Sequence, residues 1–548
     1  MFKNKLAYSV ALALLSYASH GMAQTAAELQ GVKPPQPTAT DSAVVPKFQS
    51  NAQSGVQAGG ATVTLRSVVI EGNKSVPTSV LLNQLGPVTD KALDMAGLTG
   101  LVNTVTAYYR SLGYPFVQAY LPPQDLQQGT LRIQVLEGTY GNIVAVGKEE
   151  LLAGAQPFLN YGLSRGDSIF NAQLERTMLI MDDQPGMKIH PMIKPGANQG
   201  EADLTVEVER TANVSGEVGF DNTGARSTGE NRVHGALFFN SPFRYGDKVS
   251  LNVTHTDEDM WLGSVDYEAP IGASGLRGQI GYAHTTYVLG GQFASLNAQG
   301  TAKITTAKLT YPLVRSQATN VFLSAGVQHK QLHDEYRSTN LIRNKSANNV
   351  PIGLQFDKRD TLLGGGVTYG SLTWLTGNID LDADASVSDA STARTQGSFN
   401  KTNLDIARIQ KAYGDLSLYG RYSGQWASKN LDASEKFNLG GFYGVRAYPL
   451  GEGVGDKGWF TQFELRLAMD AVTPFVFYDY GTSRTNAQPW DTNSGASRTI
   501  AGGGVGVRTI YEKWSLDGTI SWRSLGGASM ADSIDRNPRA FVMLNRRF

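Results

Sequence analysis

The chain has 548 residues, with 48 Lys+Arg against 48 Asp+Glu, 61 glycines and no cysteine. Its length calls for more than one domain. The balanced charge gives no sign of a nucleic-acid partner, and the lack of thiols excludes disulfides, thiolate metal sites and cysteine nucleophiles.

Lys3 and Lys5 precede a mostly apolar stretch over residues 6–18, followed by the small-residue pattern Gly21-Met22-Ala23. This predicts a secretory signal peptide over 1–23, cleaved between Ala23 and Gln24. The apolar run of roughly 13 residues is too short for a membrane-spanning helix, which needs about 20. No later segment is long and apolar enough either. A helical membrane protein is excluded, but a β-barrel is not, because its strands carry an apolar residue only at every second position. Residues 24–61 are rich in Gln, Ala, Pro, Gly and Ser, with Pro34, Pro35 and Pro37 close together. They read as a linker, with room for a short plug helix over 25–30.

A different pattern starts after residue 61. A strand over 63–70 is followed by helical stretches over 77–85 and 92–112. In the second, Leu98, Leu101, Val102, Val105 and Tyr109 recur at helical spacing, and Gly113 stops the helix. Strands over 115–121 and 131–136 complete a β-α-α-β-β unit. The order then repeats, with a strand at 143–146, helices near 149–159 and 171–181, and strands at 187–193 and 203–208. Each copy can bury one sheet face under two helices. The predicted units span 62–138 and 139–210.

Beyond residue 210 the helical pattern gives way to strict alternation. In the clearest segment Trp514, Leu516, Gly518, Ile520 and Trp522 alternate with Lys513, Ser515, Asp517, Thr519 and Ser521. The two tryptophans share one face about 26 Å apart along the strand. Tilted, that is close to the separation of the two aromatic girdles of an outer-membrane barrel. The chain ends on a strand closed by Phe548, an aromatic of the kind that serves as an assembly signal. A large soluble β-sandwich or propeller is the alternative. The signal peptide, the aromatic strand ends and the terminal Phe548 favour a transmembrane antiparallel barrel over 211–548. At about 21 residues per strand with its loop, this region holds about 16 strands.

Catalytic patterns are weak. Gly162-Leu163-Ser164-Arg165-Gly166 fits G-x-S-x-G but lacks the buried strand and following helix of a nucleophile elbow. His329 and His333 share a strand face without a third ligand, and read as solvated strand polars. The glycine runs 502–506 and 451–455 lie in no βαβ unit, so they read as relief of crowding in strands. There is no P-loop, and neither cofactor nor metal is expected.

One arginine stands out. Gly440-Gly441-Phe442-Tyr443-Gly444-Val445-Arg446-Ala447-Tyr448-Pro449 joins a strand over 416–426 to one over 459–467. If this connection folds into the barrel, Arg446 needs a carboxylate. The next strand offers Phe477-Tyr478-Asp479-Tyr480-Gly481, with Val476, Tyr478 and Tyr480 outward and Phe477, Asp479 and Gly481 inward. Arg446 and Asp479 then form a partly desolvated bidentate pair. An ordinary solvated loop arginine is the alternative.

These motifs resemble those of the two-partner secretion outer-membrane transporters (TpsB, the haemolysin-activator and filamentous-haemagglutinin transporter type). The two β-α-α-β-β units are similar to the family's periplasmic POTRA domains. Asp221-Asn222-Thr223-Gly224 with Thr228-Gly229 and Arg232 resembles its first barrel hairpin. Val445, Arg446, Ala447 and Tyr448, with Gly440 and Gly441 before them, resemble the V-R-G-Y/F lid-loop motif. Phe477 to Gly481 resembles its partner strand. Ala447 departs from the motif glycine, and would be strained if that position required a positive φ.

The resemblance implies a translocase of the Gram-negative outer membrane. POTRA domains would bind an unfolded TpsA-type exoprotein in the periplasm, and the barrel would pass it outward without nucleotide hydrolysis. Arg446 and Asp479 would lock the lid loop. Outer-membrane lipid and the barrel-assembly machinery are the other implied partners. An assembly factor of the same superfamily and a simple porin-type channel are the rival readings.

Overall fold

The structure, a computed structural model, describes residues 34–38, 44, 56–492 and 494–548. The expected signal peptide, with Ala23 and Gln24, and the expected plug helix lie outside the described residues.

The first two-helix unit opens with β1 (Val63–Thr64) and β2 (Ser67–Glu71), followed by α1 (Thr78–Leu85), β3 (Ala92–Leu93), α2 (Met95–Ser111), β4 (Gln118–Tyr120) and β5 (Thr130–Leu136). β2 and β5 run parallel, β4 is antiparallel to β5, and the order is β2-β5-β4. The predicted strand over 63–70 is split, because Val63–Thr64 turns away to pair with Ala92–Leu93. The second helix starts at Met95 rather than at 92, because the Asp94 carboxylate caps it, accepting from the Gly97 N–H at 2.8 Å. Leu98, Val102, Val105 and Tyr109 of α2 bury against Leu131, Ile133 and Val135 of β5.

The second unit follows the same plan with β6 (Thr139–Gly147), α3 (Glu149–Gly162), α4 (Asn171–Asp182), β7 (Met187–Pro195) and β8 (Glu201–Arg210), in sheet order β6-β8-β7. α3 runs to Gly162, past the expected end. A Cβ at Gly162 would lie 2.1 Å from the Thr177 hydroxyl, so this glycine lets α3 and α4 approach closely. The Gly162–Gly166 stretch therefore leaves a helix, which is the wrong geometry for a nucleophile elbow.

Glu137 joins the two units. Its buried carboxylate accepts from the Ser75 N–H (2.8 Å) and hydroxyl (2.6 Å), the Tyr109 hydroxyl (2.7 Å) and, from the second unit, the Ser168 hydroxyl (2.9 Å).

Sixteen antiparallel strands, β9 (Val214–Asp221) through β24 (Arg539–Arg547), close a barrel in sequence order. β24 meets β9 over only five residue pairs, Met543↔Asp221 to Arg547↔Glu217. Trp514 and Trp522 both lie on the outer face, 44% and 47% exposed, as alternation predicts. Phe548 exchanges backbone hydrogen bonds with Gly216 beside this closure. No helix among the described residues is long and apolar enough to cross a membrane.

The second unit leads into β9 and docks on the near end of the barrel. The Ser241 hydroxyl donates to the Pro185 carbonyl at 2.6 Å, Tyr245 packs on Phe158, and Arg176 donates to the Pro312 carbonyl at 2.8 Å. That end is the periplasmic one, and alternate connections lie at the far end.

Candidate functional site: a lid loop locked in the lumen

The connection from β19 (Leu416–Ala427) to β20 (Lys457–Leu467) folds into the barrel. Its fold is dictated locally. Gly441 adopts φ +101°, where a side chain would be strained, and its N–H donates to the Tyr448 carbonyl at 3.0 Å. Gly440 has no room for a Cβ, which would lie 2.4 Å from the Pro449 carbonyl. The loop doubles back, with the Val445 N–H donating to the Leu439 carbonyl at 2.9 Å. Val445, Ala447 and Tyr448 are buried with Leu439, Phe437, Phe460 and Ile500.

This turn aims Arg446 at the wall. Its Nε donates to Asp479 Oδ2 at 2.8 Å and its Nη2 to Oδ1 at 2.7 Å, a bidentate pair; its backbone N–H also donates to Oδ2 at 3.0 Å. Asp479 sits on β21 (Val472–Arg484), and both residues are almost wholly buried. The Phe477 ring lies beneath the guanidinium, 3.7 Å from it. The remaining wing of the guanidinium finds a second carboxylate, with Nη1 donating to Glu464 Oε1 at 2.6 Å. Glu464 also takes Arg466 at 2.7 Å and Arg508 at 2.9 Å, and Arg508 continues to Asp517 at 2.8 Å. Three guanidiniums thus face three carboxylates, so the buried charges of Arg446, Glu464 and Asp479 are compensated, while Arg508 and Asp517 at the edge of the network stay partly exposed.

The surrounding wall is shaped for the loop. Gly481 faces Leu439, which a Cβ there would meet at 2.6 Å. On β22 (Ser497–Tyr511), Gly502, Gly504 and Gly506 share the lumen face and leave room for Ala447, Phe477 and Phe475 respectively. Ala447 is not among the residues with positive φ, so the departure from glycine carries no backbone strain. The Ser521 hydroxyl donates to the Arg446 carbonyl at 2.9 Å, and the Tyr448 hydroxyl reaches the carbonyls of Leu525 and Gly527.

A second anchor holds the outer limb of the loop on another stretch of wall. Glu435 pairs with Lys330 at 2.6 Å and Lys401 at 2.8 Å and accepts from Asn349 at 2.9 Å. These partners lie on β15 (Thr319–Tyr336), β16 (Leu341–Asp360) and β18 (Gly397–Tyr413). The loop therefore spans the lumen between two ionic attachments. A cavity of about 660 Å³ beside it is lined by Lys330, Lys401 and Arg421 from the wall and by Asn438, Phe442 and Tyr443 from the loop. Moving the loop enlarges that space.

At the first hairpin, Asp221 holds Arg232 at 2.9 Å and the Thr223 hydroxyl at 2.7 Å. His329 and His333 bond Asn348 and Asn344 of the neighbouring strand at 2.8 and 2.7 Å. Among the described residues no His, Asp and Glu group fits a metal ion.

Sequence reasoning paired Arg446 with Asp479 and read the 502–506 glycines as relief of crowding, without the loop and wall side chains they make room for; it missed Glu464 and the Glu435 anchor. Glu464 was within reach of the alternation rule, since Phe463 and Leu465 on either side face outward.

A barrel closed by its own loop and preceded by two β-α-α-β-β units is the architecture of an outer-membrane transporter with periplasmic POTRA domains. The family model described as "Haemolysin secretion/activation protein ShlB/FhaC/HecB" matches residues 200–509, and "POTRA domain, ShlB-type" matches residues 63–138. The chain belongs to this haemolysin secretion/activation family, the two-partner secretion transporters that export TpsA-type exoproteins. These are transporters rather than enzymes. It is 27% identical over 427 residues to the heme/hemopexin transporter protein HuxB of Haemophilus influenzae (strain 86-028NP), covering 76% of this chain and 75% of that one. It is 24% identical over 442 residues to the outer membrane transporter CdiB of Dickeya dadantii (strain 3937), covering 77% and 76%. Its fold is similar to that of CdiB from Escherichia coli, with a TM-score of 0.72, 20% identity and coverage of 96% and 95%.

Proposed function

We propose that the chain carries one TpsA-type exoprotein from periplasm to surface without nucleotide hydrolysis, and that Arg446 and Asp479 are the lock its lid loop must leave. The observation that carries this reading is the buried bidentate pair, which tethers a loop inside a closed barrel and sits beside a cavity the loop itself lines. The unfolded exoprotein first docks on the POTRA domains, which we place at 62–138 and 139–210. Among the described residues the outer strands of each three-stranded sheet pair with no further strand over most of their length, which leaves edges to which an extended segment can add. The chain then threads the barrel, 211–548, and its folding outside gives direction. Phe548 acts as the assembly signal read by the barrel-insertion machinery, and Trp514 and Trp522 meet the outer-membrane lipid.

Deleting the gene and comparing surface and supernatant proteomes tests this reading. The expected result is loss of one large exoprotein with other outer-membrane proteins unchanged, which also names the cargo. Depletion of many barrels would instead assign an assembly factor, and an unchanged proteome a simple channel.

A further inference from the structure

The periplasmic mouth of the barrel holds a piece of this chain by its backbone. Asp357 Oδ1 accepts from the Thr38 N–H at 3.1 Å and from the Thr38 hydroxyl, while Arg359 Nη2 donates to the Thr38 carbonyl at 2.8 Å. Val350 and Ile352 of β16 face outward, so alternation puts Asp357 and Arg359 on the lumen face near the periplasmic end.

The site is built rather than incidental. Asp357 is 2% exposed and Asn320 0%. The second oxygen of Asp357 accepts from Asn320 Nδ2 and from Arg359 Nη1, both at 3.0 Å. Asn320 accepts in turn from Arg315 at 2.9 Å, and Arg315 grips Asp183 of the second periplasmic unit through two bonds of 2.8 and 2.7 Å. A polar chain thus runs from the docked unit to the bound peptide.

Three contacts take up the N–H, the C=O and the hydroxyl of a single residue. Two of them are main-chain contacts that any extended segment can make, and the third selects serine or threonine. Pro34, Pro35 and Pro37 keep the bound stretch extended. We propose that Asp357 and Arg359, backed by Asn320, form a peptide-binding site in the periplasmic mouth. At rest it holds this chain's residues 34–38, and it exchanges them for an extended, hydroxyl-bearing segment of the exported protein. Only the second occupant rests on the transport reading. Exchange replaces hydrogen bonds one for one, so the buried Asp357 carboxylate is never left without its partners, while the Arg359 guanidinium is partly exposed.

The test uses full-length protein in liposomes with no cargo present, so its failure is separate from failure of the proteome experiment. The chain has no cysteine, so Gln36→Cys gives one labelling position for a nitroxide read by continuous-wave EPR. A restricted line shape is expected for Gln36→Cys alone. Asp357→Asn and Arg359→Gln should each at least double the mobile fraction, and so should Thr38→Val, which leaves the barrel untouched. Asp360→Asn, which breaks the neighbouring ion pair with Arg408, should not. A synthetic peptide of residues 34–42 at millimolar concentration, comparable to the effective concentration of the tethered segment, should raise the mobile fraction. The same peptide with valine in place of its first threonine should not. A label that is mobile at the outset, or equally restricted in all variants, overturns the site. A tethered segment freed by Thr38→Val but indifferent to the peptide overturns the exchange.

Discussion

The methyl group of Ala447 occupies the space a side chain at position 502 would need: a Cβ built on Gly502 would lie 2.3 Å from it. The lid loop and the β22 wall therefore fit as a pair. Gly502→Ala should push the loop tip off the wall at a cost of about 1–3 kcal/mol, the usual scale for overpacking. Planar-bilayer recordings should show longer and more frequent openings. Ala447→Gly in the same chain should restore part of the parental behaviour, the remainder reflecting the Trp522 carbonyl oxygen, which the same Cβ would meet at 2.6 Å. Unchanged recordings from Gly502→Ala alone would mean the two groups do not meet.

The Glu435 anchor makes a separate prediction. Glu435→Gln leaves Lys330 and Lys401 facing each other without their shared carboxylate, in a buried setting. Removing one member of a buried ionic cluster costs about 3–5 kcal/mol. The outer limb of the loop should loosen, seen as a mobile nitroxide at a cysteine placed at Asn438. Adding Lys401→Gln removes the excess charge and should recover part of the order. A label equally rigid in Glu435→Gln and parent would show that the anchor does not hold the limb.

Acid should weaken the joint between the two periplasmic units. Burial alone raises the pKa of Glu137, but hydrogen bonds from the Ser75 hydroxyl and N–H, Tyr109 and Ser168 outweigh it, so the group sits below the ordinary value of 4.5. A depressed folded-state pKa means stability present above the unfolded value and lost as pH falls through the folded one. Urea unfolding of residues 62–210 should therefore show a midpoint that drops below about pH 4.5. Glu137→Gln should cost about 1–3 kcal/mol at neutral pH and flatten that acid limb. An acid limb unchanged in Glu137→Gln would assign it to other carboxylates.

Much of this was legible in the sequence because it rests on short-range periodicity. Alternation around Trp514 and Trp522 gave the barrel face, and the 3.6-residue spacing of Leu98, Val102, Val105 and Tyr109 gave the second helix. The Arg446–Asp479 pair was reachable because the same alternation turned Asp479 inward. Other features depend on what closure of the barrel brings together. Glu435 reaches Lys330 over a hundred residues away, and nothing local marks either as a partner. Helix α2 starts late because Asp94 caps it and Ala92–Leu93 finds a strand partner, both tertiary outcomes. Thr38 looks like any linker residue until Asp357 and Arg359 are seen around it.

The most direct test of the central claim is secretion of the exoprotein by Arg446→Ala and Asp479→Ala chains, measured at barrel abundance matched to the parent. A lock that fixes the lid at rest and is left and re-formed in each transport cycle predicts a large drop in surface exoprotein for both, with the barrels still folded and inserted. Asp479→Ala should also raise basal conductance, since the Arg446 guanidinium would then keep Glu464 as its one carboxylate partner. Secretion equal to the parent in both variants would contradict the account.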